Sequence, residues 1–370
     1  MLPQRRKEKV VTHRLRAIVA GGAGFLGGHI CERLLIDGYS VVSIDNLSTG
    51  TLANVQWLAE LGEFHFINAD ISEGLRLDGD VEVVLNFASP ASPADYLRLP
   101  IQTLKAGSMG NLSALELARE KSARYLFAST SEVYGDPEVH PQPETYWGNV
   151  NPVGPRSVYD EAKRFGESLT ITYRNHYSVD TAIARIFNTY GPRMRPTDGR
   201  VVPRFISQAL HDEPITVAGD GSQTRSIMHV DDLVEGCIRL LHSNSPGPIN
   251  IGDPNEITIN DLARLILDLT GSSSEIIYTK LPVDDPKRRC PDITVAREEL
   301  GWEPVVGRER GLRETIAWFR RSQSAGPAVS TDQNHPGREI HGSLKHQPCL
   351  TNPGSGDPGS VLEKTSEHHI

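Results

Sequence analysis

Residues 16–28 read Arg-Ala-Ile-Val-Ala-Gly-Gly-Ala-Gly-Phe-Leu-Gly-Gly. A short apolar run breaks into a glycine-rich turn and resumes as an amphipathic stretch, which specifies strand, tight turn and helix. Each glycine has a separate job in such a turn. Gly21 allows the reversal, Gly24 lets backbone approach a bulky anion, and Gly27 lets the helix pack close on the sheet. The helix opens at Phe25 and Leu26, where unpaired N–H groups and the positive dipole end favour a pyrophosphate. The next strand ends in Asp45, near the ~20-residue offset at which a carboxylate meets an adenosine ribose. That carboxylate repels a 2′-phosphate, and Asn46 follows it in place of an arginine. The expected cofactor is therefore NAD. Ser48, Thr49 and Gly50 continue its cradle, and Asp70 with Ile71 brackets the adenine.

The rest of the chain supports a sheet of that kind. Arg16–Ala20, Tyr39–Asp45, Phe64–Asp70, Val81–Ala88, Arg124–Thr130 and Asp180–Phe187 read as buried strands. Helical patterns at Phe25–Ile36, Ile101–Ser122 and Tyr159–Tyr177 lie between several of them. Alternation of this sort gives right-handed βαβ units and an α/β, Rossmann-type doubly wound parallel sheet. Four parts are expected: a flexible lead at 1–13, a cofactor domain at 14–187 rejoined by about 228–251, a smaller α/β substrate lobe at 188–321, and a disordered tail at 322–370. In the second lobe Val201–His211, Asp231–His242, Ile259–Leu269, Ile293–Leu300 and Glu309–Arg321 read as helices, and Ile215–Ala218 as a strand. The tail lacks aromatic residues and is crowded with Gly, Pro, Ser and His, so it cannot offset its ordering entropy. His368 and His369 read as part of a solvated tail.

The formal charge of −9 argues against nucleic acid as a partner. No run of apolar residues is long enough to span a membrane. Residues 1–9 are basic but lack a following apolar segment, so no secretory signal is expected. Cys31, Cys237, Cys290 and Cys349 are scattered without metal spacing, which suits a reducing cytoplasm. No metal is expected.

Tyr159 and Lys163 are four residues apart and share a helix face. A free phenol ionises near pH 10. A neighbouring ammonium and a nicotinamide cation favour the phenolate and make Tyr159 a general base. The hydroxyl of Thr130, at a strand end, completes the proton path.

Longer strings carry a resemblance. Ala20–Gly27, Ser129–Tyr134 and Tyr159–Lys163 together resemble the extended short-chain dehydrogenase/reductases that act on nucleotide sugars. Ser129–Pro137 (STSEVYGDP), His140–Ser157 (HPQPETYWGNVNPVGPRS), Arg185–Pro192 (RIFNTYGP), Gly219–Ser226 (GDGSQTRS) and Asp284–Ile293 (DDPKRRCPDI) narrow it to the UDP-glucuronate decarboxylases, or UDP-xylose synthases. The resemblance spans about residues 15–320.

It implies a carboxy-lyase with tightly held NAD and a UDP-sugar substrate. Tyr159 acts at the sugar O4, Lys163 holds it and the nicotinamide ribose, and Thr130 bonds the same hydroxyl. Glu132 and Arg289 match positions linked to decarboxylation and reprotonation. Asn188, Arg200, Gln223 and Arg225 match the nucleotide-diphosphate side, and Lys105 a lysine facing substrate. Phe87, Ala88, Ser89 and Ala128 match strand ends under the nicotinamide. A homodimer through the helices at 101–122 and 159–177 is implied as well. Ala20, Gly28, Gly107 and Ala218 depart from the family's usual residues. Two rivals remain: a 4-epimerase or 4,6-dehydratase on the same fold, and a catalytically silent nucleotide-binding scaffold. Ser131 stands where a dehydratase has an aspartate, and intact Thr130, Tyr159 and Lys163 argue against a silent scaffold.

Overall fold

The computed structural model describes residues 14–281 and 288–324. The lead at 1–13, the tail beyond 324 with Cys349, His368 and His369, and part of the DDPKRRCPDI string lie outside the described residues.

The first half builds β1 (Arg16–Ala20), α1 (Phe25–Ile36), β2 (Ser40–Asp45), β3 (Phe64–Asn68), β4 (Val83–Asn86), α2 (Pro93–Arg98), α3 (Pro100–Lys105), α4 (Asn111–Lys121), β5 (Arg124–Thr130), α5 (Ser157–Tyr177) and β6 (Thr181–Ile186). Six of these strands and a later one, Ile249–Ile251, form a parallel sheet in the order Ile249–Ile251, β6, β5, β4, β1, β2, β3. Alternate residues face opposite ways, so each strand feeds two cores. Ala17 and Val19 of β1 pack with Ile30 and Leu34 of α1. Ile18 and Ala20 pack with Leu115 and Ala118 of α4 and Tyr173 of α5. Chain order reverses between β1 and β4, and the carboxyl end of each faces a crevice. Ligands bind at such a switch point in open α/β sheets.

The helix expected at 101–122 is interrupted. Residues Ala106–Gly110 form a π-helical turn between α3 and α4. A Cβ on Gly107 would stand 2.7 Å from the Cβ of Ala162. Glycine there lets α5 press against the turn.

The second half contributes α6 (Val201–Leu210), α7 (Val230–His242), α8 (Ile259–Thr270), α9 (Thr294–Leu300) and α10 (Arg308–Ser324). Helix α10 continues to Ser324, past the expected end at Arg321. Ile215–Ala218 pairs in parallel with Ile276–Thr279. Val202, Phe205 and Ile206 of α6, Leu262 and Ile266 of α8, and Leu312, Ile316 and Phe319 of α10 fill a third core. Among the described residues, no helix is long and apolar enough to cross a membrane.

Candidate active site

The turn after β1 has the expected geometry. Gly21 has a φ of +75°, and a Cβ there would lie 2.6 Å from the Ala88 nitrogen. On Gly27 a Cβ would lie 2.1 Å from the Gly21 carbonyl oxygen, so α1 packs only because side chains are missing. Gly24 caps α1 with extended backbone and no side-chain hydrogen bond. The amides of the first turn are thus left for a ligand. Asp45 is buried at the end of β2; its carboxylate accepts N–H bonds from Ala23 (3.0 Å) and Leu47 (2.8 Å). Burial raises its pKa against those bonds. Asn46 donates to Asp70 at 2.9 Å, and Asp70 caps a short turn starting at Ile71. Burial works to raise the Asp70 pKa, but bonds from Ser72 and Asn46 and the charge of Lys105 hold it low.

A cavity of about 70 Å³ is lined by Gly21, Gly24, Asp45, Asn46, Ser48, Thr49, Asp70, Ile71, Phe87, Ala88 and Ser89. A larger one, about 440 Å³, adjoins it through the shared Gly21, Gly24, Thr49, Phe87 and Ser89, and reaches Phe25, Leu26, Gly27 and Ala128. Gly50 stands behind the first, where a Cβ would meet the Asp45 carboxylate at 3.0 Å. An uncapped helix start, a side-chain-free turn and a buried carboxylate fit the pyrophosphate and ribose of NAD.

The larger cavity also gathers Thr130, Glu132, Tyr159, Lys163, Asn188, Arg200, Gln223, Arg225 and Arg289. The threonine ends β5 and caps the turn Ser131–Tyr134, with its Oγ1 accepting the Glu132 N–H at 3.3 Å. Tyr159 and Lys163 lie on one face of α5. The ammonium donates to the Ala128 carbonyl at 2.7 Å and lies 5.8 Å from the Tyr159 ring centre. Its burial lowers its pKa to about 8. On balance the protein's own groups do not lower the pKa of the phenol. Burial and the charge of Glu132 push its pKa up, while a bond with Thr130 and the charge of Arg200 pull it down. Desolvation outweighs the nearby cations, so the proton stays on the phenol at neutral pH.

Glu132 is held between two guanidiniums, ion-paired with Arg289 and with Arg156 at 2.5 Å. Burial disfavours its charge, but both cations outweigh this and keep it ionised well below the usual carboxylate range. Two cations therefore surround one anion. The Glu132 charge is thus more than matched.

Arg156 was not singled out by sequence reasoning. It follows the unremarkable Gly154-Pro155, and only the fold brings it to Glu132. Tyr96 was missed too: it stacks on Tyr159 with ring centres 5.3 Å apart. Among the residues from the second half, Arg200 pairs with Asp198 at 2.6 Å, Gln223 donates to the Ala218 carbonyl at 2.6 Å, and Arg225 donates to the Thr224 carbonyl at 2.8 Å. Lys105 does not join them. It is exposed on α3 and lines neither cavity, and its charge falls on Asp70 at the adenine side.

The family model for NAD dependent epimerases and dehydratases matches residues 17–252. The chain belongs to that family. Curated relatives include UDP-glucuronic acid decarboxylase 1 of Xenopus tropicalis, 50% identical over 308 residues, or 83% of this chain and 73% of the relative. UDP-glucuronic acid decarboxylase 4 of Arabidopsis thaliana is 48% identical over 83% of this chain and 69% of its own length. Among solved structures, UDP-glucose 4-epimerase of Thermotoga maritima with UDP-glucose superposes with a TM-score of 0.76 at 30% identity, covering 84% of this chain and 100% of that one. UDP-glucuronic acid 4-epimerase of Bacillus cereus with UDP-glucuronic acid and NAD gives 0.74 at 28% identity, over 83% and 100%.

Proposed function

We propose that this chain converts UDP-glucuronate to UDP-xylose and CO2, with NAD as a resident cofactor. One observation carries the reading beyond the shared fold. A phenol and hydroxyl suited to moving a sugar proton share their cavity with a buried cluster in which guanidiniums outnumber carboxylates. That cluster suits a uronate carboxylate, and UDP-glucuronic acid decarboxylases are among the relatives about half-identical over 83% of this chain.

When bound, NAD would supply a reversible hydride acceptor for sugar C4 and a positive charge that favours the Tyr159 phenolate. Residues 14–187, rejoined by about 228–251, form the domain that holds it, through Gly21–Gly27, Asp45, Asn46, Asp70 and the strand ends Phe87–Ser89 and Ala128. Residues 188–321 form the lobe that holds the nucleotide diphosphate through Asn188, Arg200, Gln223 and Arg225. Tyr159 takes the O4 proton and gives it back, and Thr130 bonds the same oxygen and fixes its approach. Lys163 keeps a charge under the Tyr159 ring by its bond to Ala128. Arg289 and Arg156 hold the C6 carboxylate. With a ketone at C4 that group is β to a carbonyl, so the C5–C6 bond electrons can pass to the ketone oxygen as CO2 leaves. Glu132 holds the two guanidiniums in place as their carboxylate counter-ion, and the proton that returns to C5 comes from water.

We place the enzyme in the cytoplasm because Cys31, Cys237 and Cys290 are free and buried. We assign a homodimer through α3, α4 and α5, where Ile101, Leu104, Leu112 and Phe165 are exposed. Incubating the protein with UDP-glucuronate, UDP-glucose and dTDP-glucose tests the activity. CO2 and a UDP-pentose mass from the first alone are expected. A UDP-galacturonate or 6-deoxy product instead would make it an epimerase or dehydratase.

A further inference from the structure

One carboxyl group near the site has no role in the reading above. Asp160 is the residue after Tyr159 on α5 and one turn beyond Arg156. It is 5% exposed, and its Oδ1 has no hydrogen-bond partner. A buried carboxylate with a bare oxygen is costly, whereas the protonated acid carries no charge to desolvate. We propose that Asp160, while it is a neutral acid, preserves the excess positive charge with which Arg156 and Arg289 receive a substrate carboxylate, and gives up that role when it ionises. The proposal rests on the decarboxylase reading.

The charges around Asp160 set its state. Glu132 comes from the turn after β5, Arg289 from the loop before α9, Tyr96 from α2, Arg156 from the residue that caps α5, and Tyr159 and Glu161 from α5 itself. Burial first, and then the charge of Glu132, raise the Asp160 pKa to about 7 against the pull of Arg156 and Arg289. While Asp160 is neutral, Glu132 alone opposes the two guanidiniums, and the cluster keeps one positive charge. Once Asp160 ionises, the cluster is neutral and its attraction for an incoming carboxylate falls. The group therefore ties uronate affinity to pH across the neutral range without touching the sugar.

The product supplies the control, since UDP-xylose has the same nucleotide diphosphate but no carboxylate. In the NAD-loaded enzyme, KM for UDP-glucuronate is measured from pH 6 to 8.5 alongside the inhibition constant of UDP-xylose. KM is expected to rise about tenfold relative to that constant. In Asp160→Asn, a fixed neutral mimic, the ratio of the two is expected to stay flat. The same rise in the variant, or a flat ratio in the parent, would overturn the proposal. Should Asp160→Asn fail to fold, Asp160→Ser serves the same test, together with infrared detection of a protonated carboxyl in the parent that is lost above pH 8. A parent enzyme that releases no CO2 at any pH would refute the decarboxylase reading instead, a result separable from these.

Discussion

Replacing Glu132 with Gln removes the negative charge between Arg289 and Arg156 while keeping the shape of the side chain. All three groups are largely buried, with side-chain exposures of 14%, 4% and 16%. Taking one partner from a buried ion pair costs about 3–5 kcal/mol, because the remaining charge stays desolvated. For a protein of roughly 300 ordered residues that corresponds to a drop in Tm of about 5–8 °C. Two guanidiniums without a counter-ion then await an anion. UDP-glucuronate should restore more of the lost stability than UDP-xylose, because only the former carries a carboxylate to place between them. The assay is thermal unfolding of both proteins, ligand-free and with each nucleotide sugar. The pH dependence has a fixed sign. The folded-state pKa of Glu132 is depressed, so its stabilisation is present above the ordinary carboxylate range and is lost as pH falls through the folded value. The gap between parent and variant should persist from neutral pH down to about 5 and close only in stronger acid. In a single turnover the variant should build up reduced nicotinamide, since CO2 release slows more than hydride transfer. A Tm within about 2 °C of the parent, or equal rescue by the two nucleotides, would refute the claim that Glu132 is the counter-ion of a carboxylate site.

Gly27→Ala places a Cβ against the Gly21 carbonyl and Gly22 Cα, both backbone, and should lower stability by about 1–3 kcal/mol. It should also strip bound NAD, read from the absorbance ratio of the purified protein. Tyr159→Phe should retain NAD and lose about 10²–10⁴-fold in kcat, measured by CO2 release. Phe165→Glu puts a charge on the exposed apolar face of α5 and should shift the protein to monomer in light scattering, with its fold intact by circular dichroism.

What could be read from sequence alone follows the range of the interaction. The turn Gly21–Gly27 was legible because its main demands are local: one positive φ and the close approach of Gly27 to the Gly21 carbonyl lie within seven residues. Asp45 and the pair Tyr159 and Lys163 were legible for the same reason, by spacing along one strand and one helix. Glu132 and Arg289 came from resemblance, since the two are 157 positions apart and no periodicity joins them. Lys105 came from resemblance as well; its helix gives way to a π turn directly after it, and the residue is exposed. The Tyr159 phenol shows a limit of spacing, which counts the cations near it but not the desolvation that outweighs them among the protein's own groups. Asp160 adjoins the most conspicuous motif in the chain, yet its charge state depends on Glu132, Arg156 and Arg289 converging in three dimensions. Local pattern names the residues that touch a ligand, while the folded charge balance decides what state they are in when it arrives.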